Sequence, residues 1–390
     1  MKYDFDLVLD RHGTNSVKWD LAEERFGVKD VLPMWVADMD FRSPQPVIDA
    51  LKRRAEHGIF GYTGMTPSYY EAVVRWMEHR HGWAVQPEWI VFSPGVVPAL
   101  NALITTFSEP GDQVIVQTPV YYPFFYAIER NGRRILDNPL LFENGQYAMD
   151  LDDLERKITP RTRMVLLCSP HNPIGRVWLE EELRRLGELC LEHDILVVSD
   201  EIHHDLVYQG FKHVPFPILS GQFADNAIVC TGASKAFNLP GLHTSNIIIA
   251  NRRLRERFCD TMTRSAIGSP NTFGVVATEA AYRHGEEWLD QLLIYLEENV
   301  KFATRYAQER IRGLEVIQPQ GTYLLWLDFR GTRIPRDRLG DFVCKEARVA
   351  LEEGRLFGCK EYGFQRMNIA CPRSTLEEAL RRIENAINRL

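Results

Sequence analysis

In the stretch TGASKAFNLPGLHTSNIII, Thr231 to Ile249, Lys235 stands behind one apolar run and ahead of another. Lysine is ordinarily a solvated surface group. Delivered to the end of a buried strand it is desolvated, loses basicity and becomes a usable base or nucleophile. The same placement recurs along the chain. Tyr121 follows VIVQTPV, Asn172 follows VLLCSPH and Asp200 follows ILVVS. Ligands of open α/β sheets sit outside the carboxyl ends of the strands. An amine, a carboxylate, an amide and an aromatic ring are therefore expected to meet in one crevice. Upstream, SPGVVPALNAL sets Gly95 before a helical pattern with Pro98 in its first turn. The free amides of Gly95, Val96 and Val97 there suit a phosphate. Taken singly, each residue has a plainer use: Lys235 on the surface, Asp200 as a helix N-cap, Tyr121 in the core, Asn172-Pro173 as a turn.

The elements that must position these groups are legible as well. Apolar, β-branched runs start at Val114, Met164, Ile195, Ala227 and Asn246. They lack alternation, which predicts strands buried on both faces of a mostly parallel sheet. The charged amphipathic stretch Glu180–His193 reads as a crossover helix between two of them. A later stripe of Trp288, Leu292, Leu296, Val300, Ala303 and Ala307 predicts a long helix able to bridge two domains. TYLLWLDF reads as a strand, and a last helix is expected to open on a capping box at Ser374 to Glu377, burying Leu376, Leu380, Ile383 and Ile387. The fold class is thus α/β: a large domain at about residues 46–285 with helices on both faces of the sheet, and a smaller α+β domain from residues 1–45 with 286–390.

Composition removes several function classes. A net charge of −7 with no basic run argues against nucleic acid. The acidic start MKYDFDLVLDRHG is no secretory leader, and no apolar run reaches membrane-spanning length. Seven scattered cysteines without CxxC spacing fit neither a disulfide framework nor a zinc site. The expectation is a reduced, cytoplasmic protein. His203 and His204 invite a metal reading, but neighbours on a helix point apart and no Cys or third His sits nearby to complete a site. No metal is expected.

A lysine for a Schiff base, a carboxylate for a pyridinium nitrogen, a stacking ring and a phosphate cradle are together what pyridoxal 5′-phosphate requires. Along nearly its whole length the chain resembles fold-type I pyridoxal-phosphate enzymes of the class I/II aminotransferase superfamily. More narrowly it resembles the MalY/PatB group of cystathionine β-lyases, or carbon–sulfur lyases. The narrower resemblance rests on RHGTNSVKWD from Arg11, PMWVADMDF from Pro33, FGYT from Phe60, SPGVVPAL from Ser93, SPHNPIGRVW from Ser169, SDEIHHDLVY from Ser199, TYLLWLDF from Thr322 and FQRMNIACPRS from Phe364. Any one of these is weak; eight in order are specific.

The resemblance implies roles. Lys235 carries the cofactor and shuttles the Cα proton, Asp200 holds the pyridinium proton, Asn172 meets the ring's 3-oxygen and Tyr121 stacks on the ring. Ser234, Thr231, Val96 and Val97 hold the phosphate with Gly95, and Tyr62 reaches the phosphate of a neighbouring subunit in a homodimer. Arg366 clamps the substrate carboxylate, while Trp35, Val36, Ala37 and Tyr323 line the pocket. Two positions depart from the aminotransferase pattern. His203 stands where those enzymes have a tyrosine that supports the 3-oxygen, and His243 where they have a phosphate-binding arginine. His203 is shared with the lyase group, so the departures favour β-elimination of an amino acid such as L-cystathionine to thiol, pyruvate and ammonia. An aminotransferase in the same site, or a regulatory protein that keeps the cofactor, are the alternatives.

Overall fold

The computed structural model describes residues 3–360 and 362–390. Its large sheet has seven strands: β1 Ile90–Ser93, β2 Gln113–Val116, β3 Arg134–Asp137, β4 Thr162–Cys168, β5 Leu196–Asp200, β6 Ala227–Thr231 and β7 Ser245–Ile248. Their spatial order is β1-β7-β6-β5-β4-β2-β3. The paired neighbours from β6 to β3 all run parallel, while β7 lies antiparallel to both β1 and β6. The run from Asn246 is thus a reversed strand inside a mostly parallel sheet. β1 and β3 had no signal of their own among the expected runs.

Continuous apolarity is explained by two covered faces. Val165, Leu167 and Val197 pack on one side with Leu183, Leu186 and Leu189 of the helix Glu180–Glu192. The alternating residues Met164, Leu166, Cys168, Val198 and Cys230 pack on the other with Leu100 and Leu103 of the helix Val96–Phe107. Side chains on a strand alternate between faces, so both sets must be apolar. Cys168 and Cys230 are buried core residues of this kind, and all seven cysteines are free thiols.

A second, antiparallel sheet has four strands: β8 Glu315–Ile317, β9 Leu324–Asp328, β10 Glu352–Glu353 and β11 Phe364–Asn368, in the order β8-β9-β11-β10. The helices Glu286–Arg310 and Arg373–Ile387 bury the expected stripes among the residues of this region. Near the chain start, Leu32–Pro33 pairs in parallel with Val349–Ala350. The capping box does not form. Pro372 is the N-cap of the last helix and no side chain caps it; proline's restricted φ starts the helix ahead of Ser374. Among the described residues no helix is long and apolar enough to cross a membrane.

Candidate active site

The strand order places the predicted groups side by side. The chain leaves β2 for β3 in one direction, then returns to β4 on the other side of β2 and continues to β5 and β6. The carboxyl ends at this reversal form the crevice that open α/β sheets use. Along its rim lie Gly95 after β1, Ser234 and Lys235 after β6, Asp200 at the end of β5, Asn172 after β4 and Tyr121 after β2. Neighbouring strands are about 4.8 Å apart, so residues at the ends of adjacent strands, such as Asn172, Asp200 and Lys235, stand close enough to act on one small aromatic cofactor.

Each group carries the mark of that location. Asp200 is buried in register with Cys168 and Cys230. Burial pushes its carboxyl up to about 7, although Oδ1 accepts a hydrogen bond from the Ile202 amide at 3.1 Å and Lys235 lies near. Burial, then the charge of Arg366, pushes Lys235 down to about 8. Its Nζ donates to the carbonyl of Ala37 at 2.8 Å. Burial raises the Tyr121 phenol, within the fields of Asp200 and Arg366. His203 is buried and held well below its usual value by burial and by the cations Lys235 and Arg366. Its neutral ring keeps Nδ1 without a hydrogen-bond partner among the described residues and lies edge-on to Tyr323 at 6.0 Å.

Arg366, on β11, crosses from the small sheet. One guanidinium nitrogen donates to Asn172 Oδ1 at 3.0 Å and another to the Trp35 carbonyl at 2.9 Å, over the Phe357 ring. Nε has no partner. The segment 35–38 is thereby a strap with its carbonyls engaged: Trp35 by Arg366, Val36 and Asp38 by Asn368 Nδ2, and Ala37 by Lys235 and by the Tyr323 hydroxyl at 3.0 Å.

Beneath the strap lies an ion network that the motif residues alone do not disclose. Lys18 is completely buried with Nζ 2.7 Å from Asp40. Arg11 grips Asp38 and Asp40 at 2.8 and 2.7 Å, and Trp19 Nε1 donates to Asp40 at 2.9 Å. Asn238 then ties the backbone of Met39 and Phe41 to the Lys235 loop. RHGTNSVKWD and VADMDF are quotable as motifs. Their pairing, across more than twenty residues, carries no periodic signal.

Gly95 precedes the helix Val96–Phe107 at φ +153°, a conformation that favours glycine, and its carbonyl is fixed by Ser93 Oγ at 2.7 Å. The first-turn amides of Val96 and Val97 have no intrahelical acceptor. Other expected residues stand further off. The Thr231 hydroxyl donates across the sheet to the Asn246 carbonyl at 3.2 Å, so that proton is committed away from the crevice. His243 is exposed in a left-handed conformation at φ +47°. Tyr62 is fully exposed beside exposed Ile59 and Phe60, and within one chain it joins no site.

The helix expected at His203 and His204 does not form. Residues 201–205 form turns, not a helix, and the fold supplies partners from afar: His81, His204 and Asp205 are all buried with potential ligand atoms within 4.8 Å of one another. Burial of His81 at a helix end more than a hundred residues away was the missing signal.

The crevice fits pyridoxal phosphate. Asp200 is a buried carboxylate whose raised pKa calls for a cationic N–H neighbour, His203 Nδ1 and Arg366 Nε are buried without partners, and Gly95 shapes a phosphate cradle.

Residues 29–383 match the family model described as aminotransferase class I and II. The chain is 49% identical to cystathionine beta-lyase PatB of Bacillus subtilis (strain 168), covering 98% of this chain and 100% of that protein. Among solved structures it is similar to cystalysin from Treponema denticola, which contains pyridoxal 5′-phosphate, with TM-score 0.96, 37% identity and 100% of both chains covered. It is also similar to the PLP-bound C–S lyase from Staphylococcus hominis, with TM-score 0.93, 35% identity and 99% and 98% covered.

Proposed function

The chain belongs to the class I and II aminotransferase family, and from that premise we propose that it is a pyridoxal-phosphate-dependent carbon–sulfur β-lyase acting on L-cystathionine or a related cysteine S-conjugate. The observation that carries the reading is the full-length likeness to β-lyases, supported by the gathering of Lys235, Asp200, Asn172 and Arg366 around one crevice.

Bound in the crevice, the cofactor supplies an electron sink for the carbanion formed at the substrate's Cα. The protein does the rest. Lys235 would anchor the cofactor, and its uncharged amine, once free, would take the substrate's Cα proton. A folded-state value of about 8 keeps a usable fraction uncharged near neutrality. Asp200 holds the pyridinium proton from the floor. Neutral His203 and Asn172 would face the ring's 3-oxygen, Tyr121 would pack on the ring, and Ser234 with the amides of Gly95, Val96 and Val97 would hold the phosphate, while the Thr231 hydroxyl is engaged by the Asn246 carbonyl. Arg366 receives the substrate carboxylate with the guanidinium Nε that has no partner within the chain. The strap residues Trp35, Val36 and Ala37 close over the substrate. The Cβ–S bond then breaks with its electron pair on sulfur. The thiol leaves, and water converts the released aminoacrylate to pyruvate and ammonia.

The domain division follows the same logic: residues 46–285 hold the cofactor, while 1–45 with 286–390 bring Arg366 and the strap. Exposed Ile59, Phe60 and Tyr62 suit a homodimer in which Tyr62 reaches the partner's phosphate, a reading that sedimentation of wild type and Tyr62→Phe, with cofactor affinity measured in parallel, tests.

The deciding experiment is pyruvate release from L-cystathionine by the cofactor-loaded protein with no 2-oxo acid added. Catalytic pyruvate with stoichiometric thiol is expected, reduced at least about 10³-fold in Lys235→Ala. Bleaching of the cofactor absorbance that a 2-oxo acid restores, without pyruvate, would establish an aminotransferase instead.

A further inference from the structure

Five residues after Asp200, behind the crevice, lies a cluster that the proposed reaction does not use. His81, His204, His213, Glu201 and Asp205 are all buried, and the three imidazoles lie with ring centroids 4.4 to 6.0 Å apart. Their polar contacts sort them into a pair, His213 with Glu201, and a group of three, His81 and His204 with Asp205. His213 Nε2 meets Glu201 Oε2 at 2.8 Å, and the other Glu201 oxygen accepts from Ser199 Oγ and the Phe216 amide, so that carboxylate is satisfied. The second group is not.

Asp205 Oδ1 is shared by His81 Nε2 at 2.7 Å and Trp76 Nε1 at 3.0 Å. Asp205 Oδ2 faces His204 Nε2 at 3.3 Å, and neither atom has a hydrogen-bond partner among the described residues. The tautomer of His204 follows from its other nitrogen. Nδ1 contacts the Glu201 carbonyl, which only accepts, so Nδ1 carries the hydrogen. In the neutral ring Nε2 is then a bare lone pair aimed at a carboxylate oxygen. Two electron-rich atoms held face to face out of water need a cation between them.

We propose that His81, His204 and Asp205 form a binding site for a divalent cation of the zinc class, which pins the helix Pro67–His81 to the turn that follows Asp200. The ligand types are those zinc takes. Tetrahedral ligand atoms at about 2.0 Å from zinc stand about 3.3 Å apart, which is the separation of His204 Nε2 from Asp205 Oδ2. The carbonyl of Glu201 orients the His204 ring as outer partners of metal-bound histidines do. On the ion, His81 and His204 would be neutral imidazole ligands and Asp205 a carboxylate ligand. Two chain segments more than a hundred residues apart are thereby joined beneath the cofactor floor.

The test uses the full-length, cofactor-loaded protein, incubated with zinc sulfate, desalted and measured by plasma mass spectrometry. About one zinc per chain is expected, falling below about a tenth in His81→Gln while the cofactor absorbance stays. Cobalt(II) in place of zinc is expected to give visible d–d bands without thiolate charge transfer, since no cysteine belongs to the set. If His81→Gln fails to fold, the wild-type cobalt spectrum decides alone. Absence of both zinc and cobalt bands in wild type would overturn the proposal and assign the space to a proton shared by His204 and Asp205. A thiolate band, or full zinc retention in His81→Gln, would overturn it equally.

Discussion

Two sets of buried and half-buried charges meet at the segment 35–38, and they differ in how their charges are matched. Below the strap, Lys18 and Arg11 face Asp38 and Asp40 in close, multiply bonded contacts. In the crevice, Asp200 rests on a single amide, His203 Nδ1 and Arg366 Nε have no partners, and Lys235 is held by a neutral carbonyl. Desolvation penalises both sets. The first meets that penalty within the chain, and so its role is to build. The second leaves it standing, and so its role is to receive a ligand that brings the missing charges and donors. Buried polar groups are thus sorted into framework and site by whether the chain completes them.

The comparison breaks most visibly at Asp200. Its carboxyl titrates near 4 when unfolded and is raised to about 7 by burial in the folded chain. Between those values the folded state binds more protons than the unfolded state, so stability falls as pH rises through this window. Cofactor-free protein is expected to lose up to about 4 kcal/mol from about pH 4 to pH 7 through this group. Asp200→Asn removes the slope, and urea denaturation across that range, with and without cofactor, measures it. An unchanged slope in the variant would mean that the crevice is as well matched as the strap.

The framework set is expected to respond the opposite way. Lys18→Met leaves Asp40 buried with only Arg11 and Trp19, at a cost of about 3 kcal/mol in stability whether or not cofactor is bound. Thermal unfolding of the apo and loaded forms checks that the two losses agree. Arg366→Lys sharpens the same contrast: the planar fork is lost while the charge stays. The expected result is a KM for L-cystathionine raised about 30-fold, or about 2 kcal/mol, with a smaller change in kcat. Tyr323→Phe removes one hydrogen bond to the Ala37 carbonyl and should destabilise the strap by about 1 kcal/mol. Denaturant titration of the apo form resolves a change of that size.

How much of the site was legible depends on what kind of signal each residue carries. Lys235, Asp200, Asn172 and Tyr121 could be found because a buried parallel strand writes itself as a continuous apolar run, and the residue after it occupies the functional end of the sheet. The reversed direction of β7 was not legible, because a buried antiparallel strand presents the same run. Ser374 to Glu377 matched a capping pattern, yet the preceding Pro372 took the N-cap position. The partners of His204 were missed for a different reason. His81 closes a helix and nothing local marks it as facing a turn more than a hundred residues on.

By itself, then, the order of residues determined five of the seven strands of the large sheet, three of the helices, the identity of the chemical groups at the strand ends and the family likeness, because local periodicity and short motifs are properties of neighbours along the chain. The tertiary structure decided which charges are answered and which are left open: Lys18 with Asp40, Arg366 with Asn172 and the Trp35 carbonyl, His204 with Asp205 and His81. Burial and electrostatic pairing depend on distances through space between segments remote in sequence. Only the packed fold sets those distances.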